Sequence, residues 1–228
     1  MGIIIAITII LLWGGHLVYM FTSVDFSPAN PWMYLHILIQ AYLYTGLFIT
    51  GHDAMHGNIA PSRRVNSILG NLAVFLFAGM SYKRLRKNHG LHHKFVASEG
   101  DPDFYVRSQN FWVWWAVFMW RYITVIQLVI MAVKYNLILY LFPAIGEIKV
   151  LVYWALPAIL GTLQLFYVGV YWPHREPHTP DMGQHKARTQ KKNHLWAMIS
   201  CYFFGYHSEH HEDQRVPWWQ LYQVKNEK

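Results

Sequence analysis

The chain has a single cysteine, Cys201, in 228 residues. An intramolecular disulfide is therefore excluded, and so is a zinc or iron–sulfur site built on thiolates. The thiol reads as a small apolar group. Charge is also scarce: 14% of residues are charged, against roughly 25% in soluble domains. The HExxH word of zinc hydrolases is missing, because Asp53 stands where the glutamate would be in His52-Asp53-Ala54-Met55-His56. The Glu and ExxH pairs of ferritin-like carboxylate sites are missing too. No basic segment precedes the first apolar run, Ile3 to Leu12, and no small-residue cleavage site follows it. That run is expected to be a retained transmembrane helix, not a signal peptide. Ala6 stands where a myristoylation site needs Ser or Thr. Repeats and low-complexity tracts are absent, so residues 1–228 read as one domain.

What is present is apolar and aromatic. Hydrophobic residues make up 54%, with 11 Trp, 15 Tyr and 13 Phe, a composition suited to lipid headgroups and a long apolar ligand. Four stretches are long enough to span a bilayer: Ile3 to Phe21, Trp32 to Gly51, Val125 to Phe142, and Val150 to Trp172, with Pro157 positioned to kink the last. Val65 to Tyr82 and Phe111 to Trp120 read as interfacial helices; counting both as spans is the six-span alternative. The expected fold is thus an all-α membrane protein of about four transmembrane helices, with interfacial helices and a His-rich cap. The net charge of +7 sits beside apolar spans, which favours membrane orientation over nucleic acid. The links Thr22–Pro31 and Pro143–Lys149 contain only Lys149 as a basic residue. Nearly all other basic residues share the opposite side, so the positive-inside rule places the His-rich segments and the C-terminus in the cytoplasm.

Histidine is the anomaly, with 14 in the chain. His52 and His56 are spaced i, i+4 at the end of the second span and share a helix face. His89-Gly90-Leu91-His92-His93 repeats that logic with i, i+3 and i+4 spacing, and His207-Ser208-Glu209-His210-His211 repeats it again. His174 lies just past the fourth span. HxxxH, HxxHH and HxxHH in order, all on one side, point to metal. Imidazole suits Zn, Cu, Fe and Ni. A zinc hydrolase needs three ligands and a haem two; eight or nine histidines suit two ions. Two irons in such a site imply O2 activation against a C–H bond.

The boxes resemble the membrane fatty-acid desaturase/hydroxylase superfamily, and the words around them are narrower. The run Thr45 to Gly57 around the first box resembles the bacterial-type β-carotene C4 ketolases. So do Gly100-Asp101-Pro102-Asp103-Phe104, Gln164-Leu165-Phe166-Tyr167, Pro173-His174-Arg175, Phe204-Gly205-Tyr206-His207, Glu209-His210-His211-Glu212 and Pro217-Trp218-Trp219. The resemblance runs from about Gln40 to Leu221. It implies oxidation of a β-ionone ring at C4 by two hydroxylations and dehydration, β-carotene becoming echinenone and then canthaxanthin. It implies two iron ions, O2, an electron donor of the ferredoxin type, and a carotenoid drawn from the bilayer. The family's ligands carry over to His52, His56, His89, His92, His93, His207, His210 and His211, with His174 ninth by analogy with desaturases. Two departures stand out. The polar N-terminal tail usual in the family is nearly missing, and Phe203 occupies a position that is often His. A related di-iron carotenoid hydroxylase or acyl-lipid desaturase is the alternative, and a membrane metal or haem carrier the non-enzyme one.

The remaining candidates are weighed singly. Asp53 follows a ligand and is placed to fix its tautomer, or to cap or ion-pair. Asp101 and Asp103 flank a proline, which favours a turn, with ligand support as the other role. Glu209 and Glu212 either orient the third box or are solvated. The run Lys83–Lys87 reads as a solvated headgroup anchor. His36 lies sixteen residues, about 24 Å, before His52 on a helix, and His16 near the far end of the first span, so both are expected to hydrogen-bond away from the site. His178 and His194 are surface candidates, and His185 is either a surface histidine or one that supports a ligand. Trp112, Trp114, Trp115, Trp218 and Trp219 read as belt aromatics, with a tunnel that admits one end of the polyene as the other role for some of them, and Phe48, Met55 and Met80 as packing residues able to touch a ring.

Overall fold

The computed structural model describes residues 1–226, and among them there is no β-strand. Ten helices organise the chain: α1 (Gly2–Ser23), α2 (Pro31–His56), α3 (Arg63–Ala78), α4 (Tyr82–Phe95), α5 (Phe111–Tyr122), α6 (Val125–Leu141), α7 (Glu147–His174), α8 (His194–Cys201), α9 (His207–Glu212) and α10 (Leu221–Asn226). Their starts follow ordinary capping chemistry. Asn30, Ser62, Ser81, Asn110, Thr124 and Asn193 each accept a backbone N–H from the first turn of the helix they precede.

Three helices, α1, α2 and α7, are long and apolar enough to cross a membrane, and they coincide with the first, second and fourth expected spans. The third differs. Val125 to Phe142 forms α6, of 17 residues, which qualifies only together with α5, from which it is bent by 87°. The stretches expected to be interfacial each become the first arm of an elbow: α3 meets α4 at 98°. Counting each elbow as one span gives up to five. Local chemistry makes both bends. Gly79 closes α3 in the left-handed region and Ser81 caps α4, while Ile123 is extended and Thr124 caps α6.

The second helix is the hub, packed against α1, α3 and α7. Close approach depends on glycine. A side chain on Gly51 would collide with Val74, and one on Gly70 with the Tyr82 ring and with Ala54, so α3 lies tight against the last turns of α2. Polar groups tie the helices elsewhere. Thr45 donates to Gln164 (2.6 Å), and Gln164 donates to the carbonyl of Ser200 (2.6 Å). As expected, His16 and His36 lie away from the other histidines. They join α1 to α2 through Gln40, with His16 Nδ1 2.6 Å from Gln40 Oε1 and His16 Nε2 3.1 Å from His36 Nδ1.

In α7 the two prolines have a common solution. A proline cannot donate to the carbonyl four residues back, and its ring crowds that carbonyl. For Pro157 and Pro173 those carbonyls belong to Tyr153 and Gly169, and each lies inside a π turn, Leu151–Ala155 and Tyr167–Tyr171. The widened turns carry the helix through to His174.

Replacing Gly70 with Leu should force α4 off α3 and destabilise the chain by about 1–3 kcal/mol. Gly14→Ala, where no atom lies within 4 Å of the new methyl, should be neutral or stabilising. Equal thermal unfolding midpoints for the two variants would contradict this packing.

Candidate metal centre

Four elements deliver nine histidines to one locus. The end of α2 brings His52 and His56, α4 brings His89, His92 and His93, the end of α7 brings His174, and α9 brings His207, His210 and His211. They divide into two groups, within each of which the ligand atoms all lie within 4.8 Å of one another. One group is His52, His56, His89, His93 and His210; the other is His92, His174, His207 and His211. The division runs through the boxes. In α4 the neighbours His92 and His93 go to different groups, because residues one apart point about 100° apart on a helix. His89 and His93 share a group by their i, i+4 spacing, and so do His207 and His211.

The approach is nitrogen to nitrogen. In the first group His56 Nε2 lies 2.7 Å from His89 Nε2, His89 Nε2 lies 3.0 Å from His93 Nε2, and His93 Nε2 lies 3.1 Å from His210 Nε2. In the second, His174 Nε2 is 2.9 Å from His207 Nε2, His207 Nε2 is 3.1 Å from His211 Nε2, and His211 Nε2 is 3.2 Å from His92 Nε2. Tautomers can be assigned at two of these rings. His92 Nδ1 donates to the Asp101 carboxylate, 3.0 Å from either oxygen, and His174 Nδ1 donates to the Lys186 carbonyl at 3.1 Å. With the proton on Nδ1, each Nε2 presents a bare lone pair inward. His52 Nε2 is buried without a hydrogen-bond partner. A buried lone pair with no proton to accept is costly, and a cation at the centre of each group would satisfy all of them. The donor set therefore fits metal, and an all-imidazole set fits Zn, Cu, Fe or Ni.

Electrostatics keep the rings ready. Burial pushes His207, His210 and His211 well below the ordinary histidine value of 6.5, and neighbouring histidines push the same way. They are neutral at pH 7, the form that binds metal.

The carboxylates take separate parts. Asp101 is buried and combines both expected roles, supporting His92 while accepting the N–H groups of Ala97 (2.9 Å) and Asp103 (2.8 Å) to shape its own turn. Asp103 accepts the Tyr122 hydroxyl and approaches His92 Nδ1 at 3.7 Å. Burial lifts its carboxyl to about 6. Asp53 lies 3.3 Å from His52 Nδ1, and its other oxygen accepts the Trp218 N–H at 2.9 Å. Adjacent residues diverge on a helix, so the link to His52 is long and the C-terminal segment supplies the better partner.

Several expectations need correction. Glu209 is fully buried, not solvated: neither oxygen has a hydrogen bond, and Lys225 Nζ at 3.8 Å is its ion-pair partner. Trp114 and Trp218 are not belt aromatics. Both are buried, Trp114 donating its indole N–H to the Asp103 carbonyl at 2.7 Å and Trp218 packing on Tyr202. His178, His185 and His194 are half-buried, with the His185 ring 5.6 Å from that of His211. Phe203 stacks on Tyr206. Tyr122, the Lys186 carbonyl and the Trp218 N–H went unnoticed in the sequence, because a backbone group has no residue signature and Tyr122 lies among many aromatics.

A cavity enclosing about 920 Å3 of empty space, its open mouth included, ends on His52, His89, His92 and His207. Phe48, Met55 and Met80 line it, as do Leu85 from α4, Phe118 from α5 and Phe166 from α7. An apolar passage thus reaches rings of both histidine groups.

The sequence matches the fatty acid desaturase family over residues 29–135 and 119–227. The chain belongs to that family. Among curated relatives it is 38% identical to a zeaxanthin 4-ketolase of Chlamydomonas reinhardtii, over 96% of this chain and 52% of the relative. It is 36% identical to β-carotene 4-ketolase 3 of Haematococcus lacustris, over 82% of this chain and 61% of the relative. It is 35% identical to a β-carotene ketolase of Paracoccus sp., over 86% of this chain and 80% of the relative. The chain thus spans little more than half the length of the two algal relatives. No solved structure matches it.

Two outcomes follow for this desaturase-family centre. Asp101→Ala, which frees the His92 tautomer, should weaken metal binding about 10–100-fold, read as metal per chain after dialysis; unchanged content would remove Asp101 from the site. In the metal-free protein the unfolded chain takes up protons at 6.5 while the buried rings do not. The unfolded state then holds more protons, so stability falls as pH drops below 6.5, by about 1.4 kcal/mol per pH unit for each such histidine. Equal melting midpoints at pH 7.5 and 5.5 would refute the buried neutral state.

Proposed function

We propose that this chain is a carotenoid ketolase: an integral membrane di-iron oxygenase that oxidises C4 of a β-ionone ring to a ketone. The apolar cavity ending on both histidine groups carries this reading, and the ketolase relatives supply the substrate. His52, His56, His89, His93 and His210 would hold one iron, and His92, His174, His207 and His211 the other. When bound, the metals supply O2 activation, with electrons from an external donor such as a ferredoxin. Zinc and copper fit the imidazoles equally; the oxidation itself favours iron.

The residues of the chain account for the rest. Phe48, Met55, Met80 and Phe118 offer an apolar bed to one ring of the substrate, and the polyene would trail toward the bilayer past Met119, Ile123 and Gln127, which also line the cavity. Ring carbon C4 comes to rest against the edges of His52, His89, His92 and His207. Each hydroxylation inserts one oxygen atom from O2 into a C–H bond while two electrons and two protons reduce the other to water. The second gives a geminal diol, which loses water to leave the ketone. Asp101 and the Lys186 carbonyl hold the His92 and His174 rings through both rounds. The four expected spans, with histidines and C-terminus cytoplasmic, suit this reading, since lysines and arginines crowd the histidine-bearing segments.

Expression in cells that accumulate β-carotene should yield echinenone and canthaxanthin, seen as a red-shifted absorption and earlier reversed-phase elution. Unchanged pigment would sink the proposal, and a 3-hydroxylated product would indicate a hydroxylase. His92→Ala should insert in the membrane yet lose iron and turnover; wild-type turnover would exclude it as a ligand.

A further inference from the structure

Residues 54–98 contain seven Lys and Arg and no Asp or Glu. Folding gathers three of these cations at one place. The 98° elbow between α3 and α4 forms a groove with Ser67 and Asn71 on one wall and Lys83, Arg86 and Lys87 on the other. The three cations recur at i, i+3 and i+4 and so share a face of α4. All three are exposed, and none forms an ion pair among the described residues. Beside Ser67 and Asn71, α3 carries an exposed apolar stripe, Ile68, Leu72 and Phe75, 57%, 42% and 43% exposed. One elbow thus joins a basic, hydrogen-bonding pocket to an apolar strip on a helix paired with the membrane-spanning α2.

We propose that this groove is a binding site for an anionic glycerophospholipid. Its phosphodiester and acidic headgroup lie among Lys83, Arg86 and Lys87, with the Ser67 hydroxyl and Asn71 amide as neutral donors, and an acyl chain runs along Ile68, Leu72 and Phe75. Charge complementarity selects an anion, and the apolar strip selects a lipid over a soluble acidic protein, which has no use for it. The site is separate from the cavity and from the histidines' inward faces. A lipid there would brace the elbow that carries His89, His92 and His93.

The test uses the full chain, purified in neutral detergent and exchanged into phosphatidylglycerol or phosphatidylcholine, with bound lipid counted by native mass spectrometry. The wild type should retain about one phosphatidylglycerol per chain in preference to phosphatidylcholine. Each interfacial cation strengthens binding about five-fold, so K83Q/R86Q/K87Q should weaken retention about 100-fold. Asn71→Asp, which sets a carboxylate in the groove, should weaken it too. Helix content and elution volume should not change, since these side chains are exposed. Equal retention by wild type and triple variant, or equal retention of both lipids, would overturn the proposal. So would loss of binding to a soluble acidic ferredoxin in the triple variant with phosphatidylglycerol retention intact.

Discussion

Nine imidazole rings facing one another in a buried locus form the constraint on which the rest of this structure depends. Bare nitrogen lone pairs have no reason to converge without a cation, and burial of each ring carries a desolvation penalty of its own. The rings come together because four elements are fastened around them. Glycines at positions 51 and 70 let α3 lie against α2, and the α3–α4 elbow then swings His89, His92 and His93 over the end of α2. The π turns of α7 absorb Pro157 and Pro173 and deliver His174. The C-terminal segment is held through the Trp218 N–H on Asp53 and Lys225 beside Glu209.

On the proposed function, the same arrangement meets the opposing demands of substrate and metal. An apolar substrate needs a wall of Phe, Met and Leu, whereas the metals need polar, oriented ligands. Here the wall comes from α2, α3, α4, α5 and α7, the histidines line only part of it, and the groups that orient two of them, Asp101 and the Lys186 carbonyl, sit behind the rings. The five-to-four division of histidines would leave the two proposed metal positions chemically unequal. The second group is also the one whose rings are held by Asp101 and Lys186.

Much of this was legible in the residues. Spacing of i, i+3 and i+4 within HxxxH and HxxHH puts the rings on a shared helix face, so the boxes announced a candidate metal site before any fold was known, and the surrounding words pointed to the desaturase family and its ketolases. Three of the four expected spans coincide with long apolar helices, because a run of some twenty apolar residues has few other ways to satisfy its backbone. The irregular pieces were harder. Val125 to Phe142 is apolar enough to be read as a span, yet the helix is short and joined to α5 by a sharp bend that one extended residue, Ile123, and one cap, Thr124, produce. Trp114 and Trp218 carry no mark that distinguishes a buried indole from one at the headgroups.

The sequence by itself determined which residues are ligand candidates, that the chain is helical and apolar, and that His16 and His36 lie away from the site, since all three follow from periodicity and distance along a helix. Only the tertiary structure decided how the nine histidines divide, with His92 and His93 parted. Only it showed that Asp101 takes the Nδ1 proton of His92, that a cavity reaches both groups, and that α3 and α4 fold into a basic groove. These depend on backbone carbonyls, helix rotation and bends of nearly 90°. Such features arise from packing between segments far apart in the chain, and no local pattern of residues encodes them.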